Sequence, residues 1–300
     1  MRSVLHEFFC LRLLLLFCCL LIVSPAALAA DTPMVIKYVN RGELDHRHNF
    51  KYELIKLILE HTVSEYGDYR IEPYPNDPGA HRLALLVNEG EIVNLLWASP
   101  GTVISKADVI GIPFDLLQGL LGKRICLTNG APDNLFKTAI KTNSLKGISI
   151  GQGLGWPDAE IYKINNVPVI EAPTFEGLVS MLGFHRFDCL ALSAFEIVAT
   201  YYEKNKIIPT LAIEKSLLIY YDFPIYFYVS AKHPRIAGRM NIGLKKLLAN
   251  GKFEKLFHHY YHKQVQTLNL TGRHEICLKS PFLPLAQQCN QSSAANSNRF

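Results

Sequence analysis

The sequence predicts an α/β fold built from two successive series of alternating strands and helices. In the first series, residues 35–97, short β-branched runs alternate with segments that repeat apolar residues every three or four positions. A long extended apolar run at 109–128 separates it from a second series that ends near residue 203. Strands joined through helices form mainly parallel sheets, so ligands are expected beyond the carboxyl ends of the strands.

The first 29 residues have the pattern of a cleaved secretory signal. Arg2 and Arg12 flank the charged start, residues 13–23 are unbroken apolar, and 27–29 fits a small-x-small cleavage site. The apolar run is 11 residues long, which is too short to span a bilayer and favours a signal over a membrane anchor. We therefore expect a periplasmic mature chain.

Charge and composition exclude several classes of partner. Removal of Arg2, Arg12 and Glu7 with the signal leaves 29 of 31 basic and 25 of 26 acidic residues. This small and unclustered excess of basic over acidic residues does not indicate nucleic-acid binding. The sequence contains no CxxC or Cys/His spacing typical of zinc, and we expect neither a metal nor a cofactor.

Four cysteines remain after the signal, and export places them where disulfides persist. Cys277 and Cys289 are close together near the C-terminus and form the predicted pair. Cys126 and Cys189 lie in apolar, strand-like runs and are interpreted as buried small hydrophobic residues.

The first series begins the predicted element order. Its elements are strand 35–39, helix 52–63, strand 69–73, helix 81–88 and strand 92–97. Trp97 and Ser99 lie at the end of the third strand and are site candidates, although Trp97 also fits a core position that closes the sheet.

The second series follows the extended apolar run. Its elements are strand 123–128, helix 132–142, strand 148–150, helix 158–165, strand 167–171, helix 175–182, strand 187–192 and helix 194–203. Residues 224–230 then return in extended form, and 243–261 is an amphipathic helical region interrupted at 250–251.

The segment GISIGQGLGWPDAEIYKINN, residues 147–166, is predicted to form the floor of a binding site. Gly151, Gly153 and Gly155 form a loop after a strand end, and Pro157 suits the first turn of a helix. Unpaired N–H groups at this helix start favour a carboxylate or another anion, with Gln152 and Trp156 beside it. The alternative is a glycine-rich turn with a packed tryptophan.

The order of these motifs resembles the type 2 periplasmic solute-binding proteins, in the branch that includes polar amino acid receptors of ABC transporters. The resemblance covers residues 34–261 and rests on ELIKLILEHT, W-x-S, IP…GLLGKR, GQGLGWPD, RFD, FP-IYF-YVS and GLKKLLANGKFEKLF. A subgroup of transporter substrate-binding domain proteins is similar in sharing GQGxGWPD and a C-terminal LKxPFLP.

The resemblance implies two three-layer α/β lobes joined by a two-strand hinge, the periplasmic binding protein-like type 2 fold, with the ligand in the cleft. The implied divisions are signal peptide 1–29, first lobe 30–117, second lobe 118–225, first-lobe return 226–285 and disordered tail 286–300. The implied hinges are 117–121 and 223–227.

The amino acid clamp of that family is not visible here. Where the family has an acidic residue that binds the ligand ammonium, this chain has Ser193. Where the family has an arginine, between Trp97 and Pro113, the only basic residue of this chain is Lys106. An ordinary α-amino acid is therefore not the expected ligand. The candidate ligand-binding residues are Trp97, Ser99, Gln152, Gly153, Gly155, Trp156, Ser193, Arg47, Arg82 and Asp45. Arg82 also fits a solvated helix face, and Asp45 with Arg47 a surface pair.

The expected function is capture of a small polar or anionic solute by a monomer that serves an ABC transporter permease or a membrane sensor, without catalytic residues. The alternative is a dehydratase-like enzyme on the same fold. Such an enzyme needs a positioned acid and base, and Asp158 and Glu196 are the available carboxylates.

Overall fold

The computed structural model describes residues 32–40, 49–75, 78–130 and 133–282. Its strands are β1 Met34–Val39, β2 Tyr69–Tyr74, β3 Leu95–Ala98, β4 Val109–Ile112, β5 Lys123–Asn129, β6 Ile150–Gly153, β7 Val169–Ala172, β8 Cys189–Ser193, β9 Leu211–Ile213, β10 Leu217–Tyr220, β11 Tyr226–Ser230 and β12 His274–Cys277. Its α-helices are α1 Asn49–Glu60, α2 Val63–Tyr66, α3 Ala80–Glu89, α4 Asp133–Thr142, α5 Pro157–Ile164, α6 Phe175–Gly183, α7 Ile197–Lys204, α8 Pro234–Ala249 and α9 Lys252–Leu268.

Several predictions fall on other residues. The signal peptide 1–29, the site candidates Asp45 and Arg47, Cys289 and the tail 286–300 lie outside the described residues. They stay predictions. No helix of the described ranges is long and apolar enough to cross a membrane.

The first lobe contains two small sheets. Strands β1 and β2 pair in parallel, and β11 lies between β3 and β4, antiparallel to both. Asn94 links the two sheets, because its side chain accepts from the Lys37 N–H at 2.8 Å and donates to the Val35 carbonyl at 2.9 Å. Helix α1 turns its apolar face, which includes Phe50 and Ile58, into the core against α8 and α9.

The second lobe is built on one large sheet with the strand order β12-β10-β5-β8-β6-β7, and β9 also pairs with β5. Helices α4 and α5 contribute Phe136 and Tyr162 to the hydrophobic cluster on one face. Helices α6 and α7 contribute Leu178 and Ile197 to the other cluster. The prediction of a two-lobed α/β fold is confirmed.

Two crossovers join the lobes. The chain leaves the first lobe after β4, crosses through residues 113–122 to β5, and returns through 221–225 from β10 to β11. Strand β12 pairs in parallel with β10 of the large sheet. The placement of this C-terminal segment in the first lobe is therefore wrong for β12, because its backbone completes the edge of the second lobe.

The interpretation of Cys126 and Cys189 as unpaired hydrophobic residues is also wrong. They form a disulfide between β5 and β8, with their Cα atoms 5.0 Å apart. Both are buried, as predicted. The pairing arises because β5 and β8 are adjacent antiparallel strands, a neighbourhood that local periodicity does not reveal.

Candidate functional site

Three strand ends and one strand start meet at a single edge of the large sheet. Strands β6 and β8 are parallel, and β5 is antiparallel to β8 and to β10. The carboxyl ends of β6, β8 and β10 therefore lie beside the amino end of β5. This edge carries Gln152, Ser193, Arg124 and Tyr221, and Arg124 stands directly opposite Ser193 in the ladder. Open α/β sheets bind ligands at such an edge.

Arg124 is the centre of a buried ionic cluster, with 5% of its surface exposed. Its guanidinium pairs with Asp158 of α5 through Nη2 and with Glu196 through Nη1 at 3.5 Å. The Tyr221 hydroxyl donates to Asp158, and the Ser193 N–H donates to Glu196 at 2.9 Å. Burial opposes the charge on Arg124, but Asp158, Tyr221 and Glu196 raise its pKa overall. The arginine is thus held as a cation.

The phenols in the cluster are neutral. Tyr162 and Tyr221 meet edge to face, with ring centroids 5.9 Å apart. Burial is the main reason that the pKa of each hydroxyl is raised, and Arg124 only partly offsets it. The ion pairs of Asp158 and Glu196 with Arg124 therefore make up the charged part of the cluster.

Several buried polar atoms of the cluster have no hydrogen-bond partner among the described residues. They are both amide atoms of Gln152, the Ser193 hydroxyl and the Arg124 Nε. Gln152 is 1% exposed, and Ser193 is fully buried. Buried polar atoms are almost always hydrogen-bonded in folded proteins, to protein, water or a ligand. Gln152, Ser193 and Arg124 therefore have hydrogen-bonding capacity left for a polar guest.

The first lobe meets this edge through Lys51. Lys51 belongs to α1 and is 2% exposed, and its Nζ lies 6.0 Å from the Trp97 ring centroid and 5.5 Å from that of Phe195. Phe195 follows Ser193 by two residues in the second lobe. Trp97 packs in turn with Tyr38 and Tyr52, which stack on each other. Lys51 thus lies between the predicted candidate Trp97 of the first lobe and Phe195 of the second.

The glycine segment differs from its prediction. Gly151 and Gly153 are inside β6 and pair with β7, rather than in a loop. A Cβ on Gly151 would lie 2.3 Å from the Phe187 ring, and one on Gly153 would lie 2.3 Å from the Trp156 ring. These glycines are explained by close packing, as the alternative of a packed tryptophan proposed. Gly155, with φ 80°, makes the turn before α5.

The expectation of an anion at this helix start has little support. The Trp156 N–H donates to the Gly153 carbonyl at 2.9 Å. Asp158 and Glu160 occupy the first turn of α5 and already complement its positive end. Both terminal nitrogens of Arg124 are engaged by carboxylates. An incoming carboxylate would have to compete with Asp158 and Glu196 for this guanidinium.

The remaining candidates are dispersed. Ser99 is buried, and its carbonyl accepts from the Thr102 hydroxyl at 2.7 Å in a turn. Arg82 is exposed on α3, which agrees with the solvated helix face. Lys106 is also exposed. None of the three contacts the buried cluster through a hydrogen bond or ion pair described here.

Sequence reasoning missed Arg124, Tyr221 and Lys51, although two of them leave a signal. Arg124 is a charged residue in the strand KRICLTN, whose residues are all buried. Lys51 stands three, four and seven positions before apolar residues of α1 and so shares their buried face. Tyr221 lies in a crossover and leaves no periodic signal.

Comparison with known proteins supports the fold. No protein-family model matches the sequence, and no curated protein matches it. A periplasmic His/Glu/Gln/Arg/opine family-binding protein from Silicibacter pomeroyi, in complex with lysine, gives a TM-score of 0.54 at 9% identity over 76% of this chain and 96% of that chain. A structure from work on glutathione import through the cystine ABC importer of Streptococcus mutans gives 0.53 at 11% identity, over 77% of this chain and 95% of that one.

An ancestral amino acid-binding protein, described as a precursor of cyclohexadienyl dehydratase, gives a TM-score of 0.52 at 15% identity over 76% of this chain and 95% of that chain. These neighbours are amino acid-binding or glutathione-import proteins. At such identities the likeness establishes a shared fold.

Proposed function

We propose that the chain is an extracytoplasmic solute-binding protein that captures a small polar solute between its lobes and delivers it to an ABC importer. The fold and the solute-binding roles of its structural neighbours support this function. The observation that carries it is the set of unpartnered buried atoms on Gln152, Ser193 and Arg124 at the sheet edge. Polar atoms without partners and a position at this sheet edge both support a ligand site here.

The chemistry of the cluster favours a solute that presents an amine, amide or hydroxyl to the second lobe. Gln152 and Ser193 offer both donors and acceptors, whereas the terminal nitrogens of Arg124 are already taken by Asp158 and Glu196. A group that donates hydrogen bonds, neutral or cationic, complements that environment. We therefore favour a polar or cationic group here over the anion that the glycine segment suggested.

Entry of the solute requires motion of the lobes. The cluster residues Arg124, Gln152, Ser193, Asp158 and Tyr221 are all more than nine-tenths buried. Lys51 of the first lobe also lies against Phe195, which follows Ser193 by two residues. Hinge opening, which is the ordinary route into such a cleft, therefore precedes binding.

A dehydratase-like activity is less well supported. Asp158 and Glu196 are the carboxylates that this alternative requires, and both are ion-paired with Arg124. A general acid or base must be able to exchange its proton at the operating pH. Carboxylates held by a permanent cation favour binding and structure over proton transfer.

The test is a pair of variants in a thermal-shift screen of polar metabolites. Gln152→Leu removes the unpartnered amide at similar size and should remove the ligand-induced shift without lowering the melting temperature, because burying an unpaired amide is unfavourable. Gln266→Leu, on the exposed face of α9, is the control and should respond to solute as the wild type does. An unchanged response of Gln152→Leu would exclude this cluster as the site.

A further inference from the structure

Asp115 connects the two crossovers between the lobes. Its Oδ1 accepts from the backbone N–H of Leu117 and of Ile225, each at 3.1 Å, and its Oδ2 accepts from the N–H of Gly119 at 2.5 Å. Leu117 and Gly119 belong to the outgoing crossover and Ile225 to the returning one. One half-buried carboxylate therefore holds both crossovers. We propose that Asp115 is the positioning residue that fixes the pivot about which the lobes open and close.

The local backbone explains why a carboxylate is needed there. Gln118 and Gly119 both have positive φ, 48° and 84°, so the outgoing crossover folds into a tight turn. Such a turn directs the N–H groups of Leu117 and Gly119 inward, where Leu116, Leu117 and Leu120 are fully buried. Buried N–H groups require acceptors. Burial raises the pKa of Asp115, although the three N–H groups work in the opposite direction.

A second contact holds the two crossovers together near Asp115. A Cβ on Gly122 would lie 1.9 Å from the Tyr221 carbonyl oxygen, so the two backbones touch at this point. The Tyr221 N–H donates to the Gly122 carbonyl at 3.2 Å, and the Leu116 N–H donates to that of Ile225 at 2.9 Å. The crossovers form a short, closely bonded ribbon with Asp115 at one end.

The ribbon also reaches the candidate site. Tyr221 contributes its backbone to the crossover contact and its hydroxyl to Asp158 in the buried cluster. When one crossover moves relative to the other, Tyr221 moves with it and shifts its hydrogen bond to Asp158. Asp115 touches no residue of the cluster directly among its described hydrogen bonds, which separates its role from ligand contact.

The functional meaning of the pivot rests on the proposed solute-binding function, but its test uses no solute. Spin labels at Lys56→Cys in α1 and Lys141→Cys in α4, both exposed, report the distance between the lobes. Asp115→Asn keeps the size of the side chain and replaces one acceptor oxygen by a donor. We expect a distance distribution at least 1.5-fold broader than that of the wild type. Asp108→Asn, an exposed aspartate of the first lobe, should leave the distribution unchanged.

Two results would overturn the pivot. One is an Asp115→Asn distribution as narrow as that of the wild type. The other requires no variant: in the solute-free wild type, the amides of Leu117, Gly119 and Ile225 should exchange with deuterium as slowly as the core strands. Rapid exchange at those three amides would show that the carboxylate does not clamp them. Failure to find a solute would leave both measurements valid.

Discussion

Removal of the Cys126–Cys189 disulfide should destabilise the second lobe. The bridge joins residues separated by 63 positions. In the chain-entropy model a loop of this length restricts the unfolded chain enough to stabilise the fold by about 4 kcal/mol at 25 °C. For a chain of this size we expect the melting temperature of Cys126→Ala/Cys189→Ala to fall by roughly 8 to 16 °C.

The assay is thermal unfolding followed by circular dichroism, with the bridge state confirmed by mass spectrometry of unreduced peptides. Wild-type protein that has been reduced after unfolding and then refolded is the control, because it keeps both sulfur atoms and loses only the bridges. A double variant that melts within two degrees of the oxidised wild type would refute the reasoning. It would mean that the β5–β8 pairing alone fixes this part of the sheet.

Two further outcomes follow from burial. Gly153→Val should destabilise by about 1–3 kcal/mol through overpacking against Trp156, whereas Gly147→Val, which meets open space, should not; equal melting temperatures would contradict this. Stability should also fall as pH rises above 10.0, the ordinary tyrosine pKa, because burial raises the pKa values of Tyr162 and Tyr221 and the unfolded chain then releases protons that the fold retains. The fall of the melting temperature above pH 10 should therefore be shallower in Tyr162→Phe than in the exposed control Tyr202→Phe; equal slopes would contradict it.

The local spacing of apolar residues was sufficient to predict most of the helices and strands. The spacing of Ile55 and Leu59 predicts α1, and the interruption at Asn250–Gly251 predicts the break between α8 and α9. These signals are local because a helix selects its apolar positions along one stretch of chain. The same argument accounts for Lys51, which lies on the apolar face of α1.

The site depended on neighbours that are distant in sequence. Arg124 meets Asp158 and Glu196 only because β5, β6 and β8 are adjacent in the sheet. Gly153 becomes a strand residue through pairing with Ala172 of β7, which overrides the flexible character of its glycine-rich surroundings. The strand order therefore determines which residues meet at the site, and local sequence patterns do not reveal that order.

The glycine segment has the most misleading sequence pattern of the chain. Three glycines before a proline suggested free N–H groups for an anion, but two of the glycines make room for Phe187 and Trp156. A position crowded by neighbouring side chains and a position that a ligand approaches closely both favour glycine. The acidic residue Asp158, already in the segment, was the better guide because it places negative charge at the helix start.

The central claim is that a small polar solute binds between the lobes with a donor group at the second lobe. Its most direct test is a thermal-shift screen of the mature protein against matched sets of cationic, zwitterionic, neutral and anionic metabolites. A specific ligand at a hundredfold excess over Kd stabilises the native state by about 2.7 kcal/mol, and that raises the melting temperature by roughly 5 to 10 °C. We predict such a shift for at least one amine-, amide- or hydroxyl-bearing compound and its loss in Gln152→Leu. Folded protein that responds to no compound, or to simple dianions alone, would contradict it.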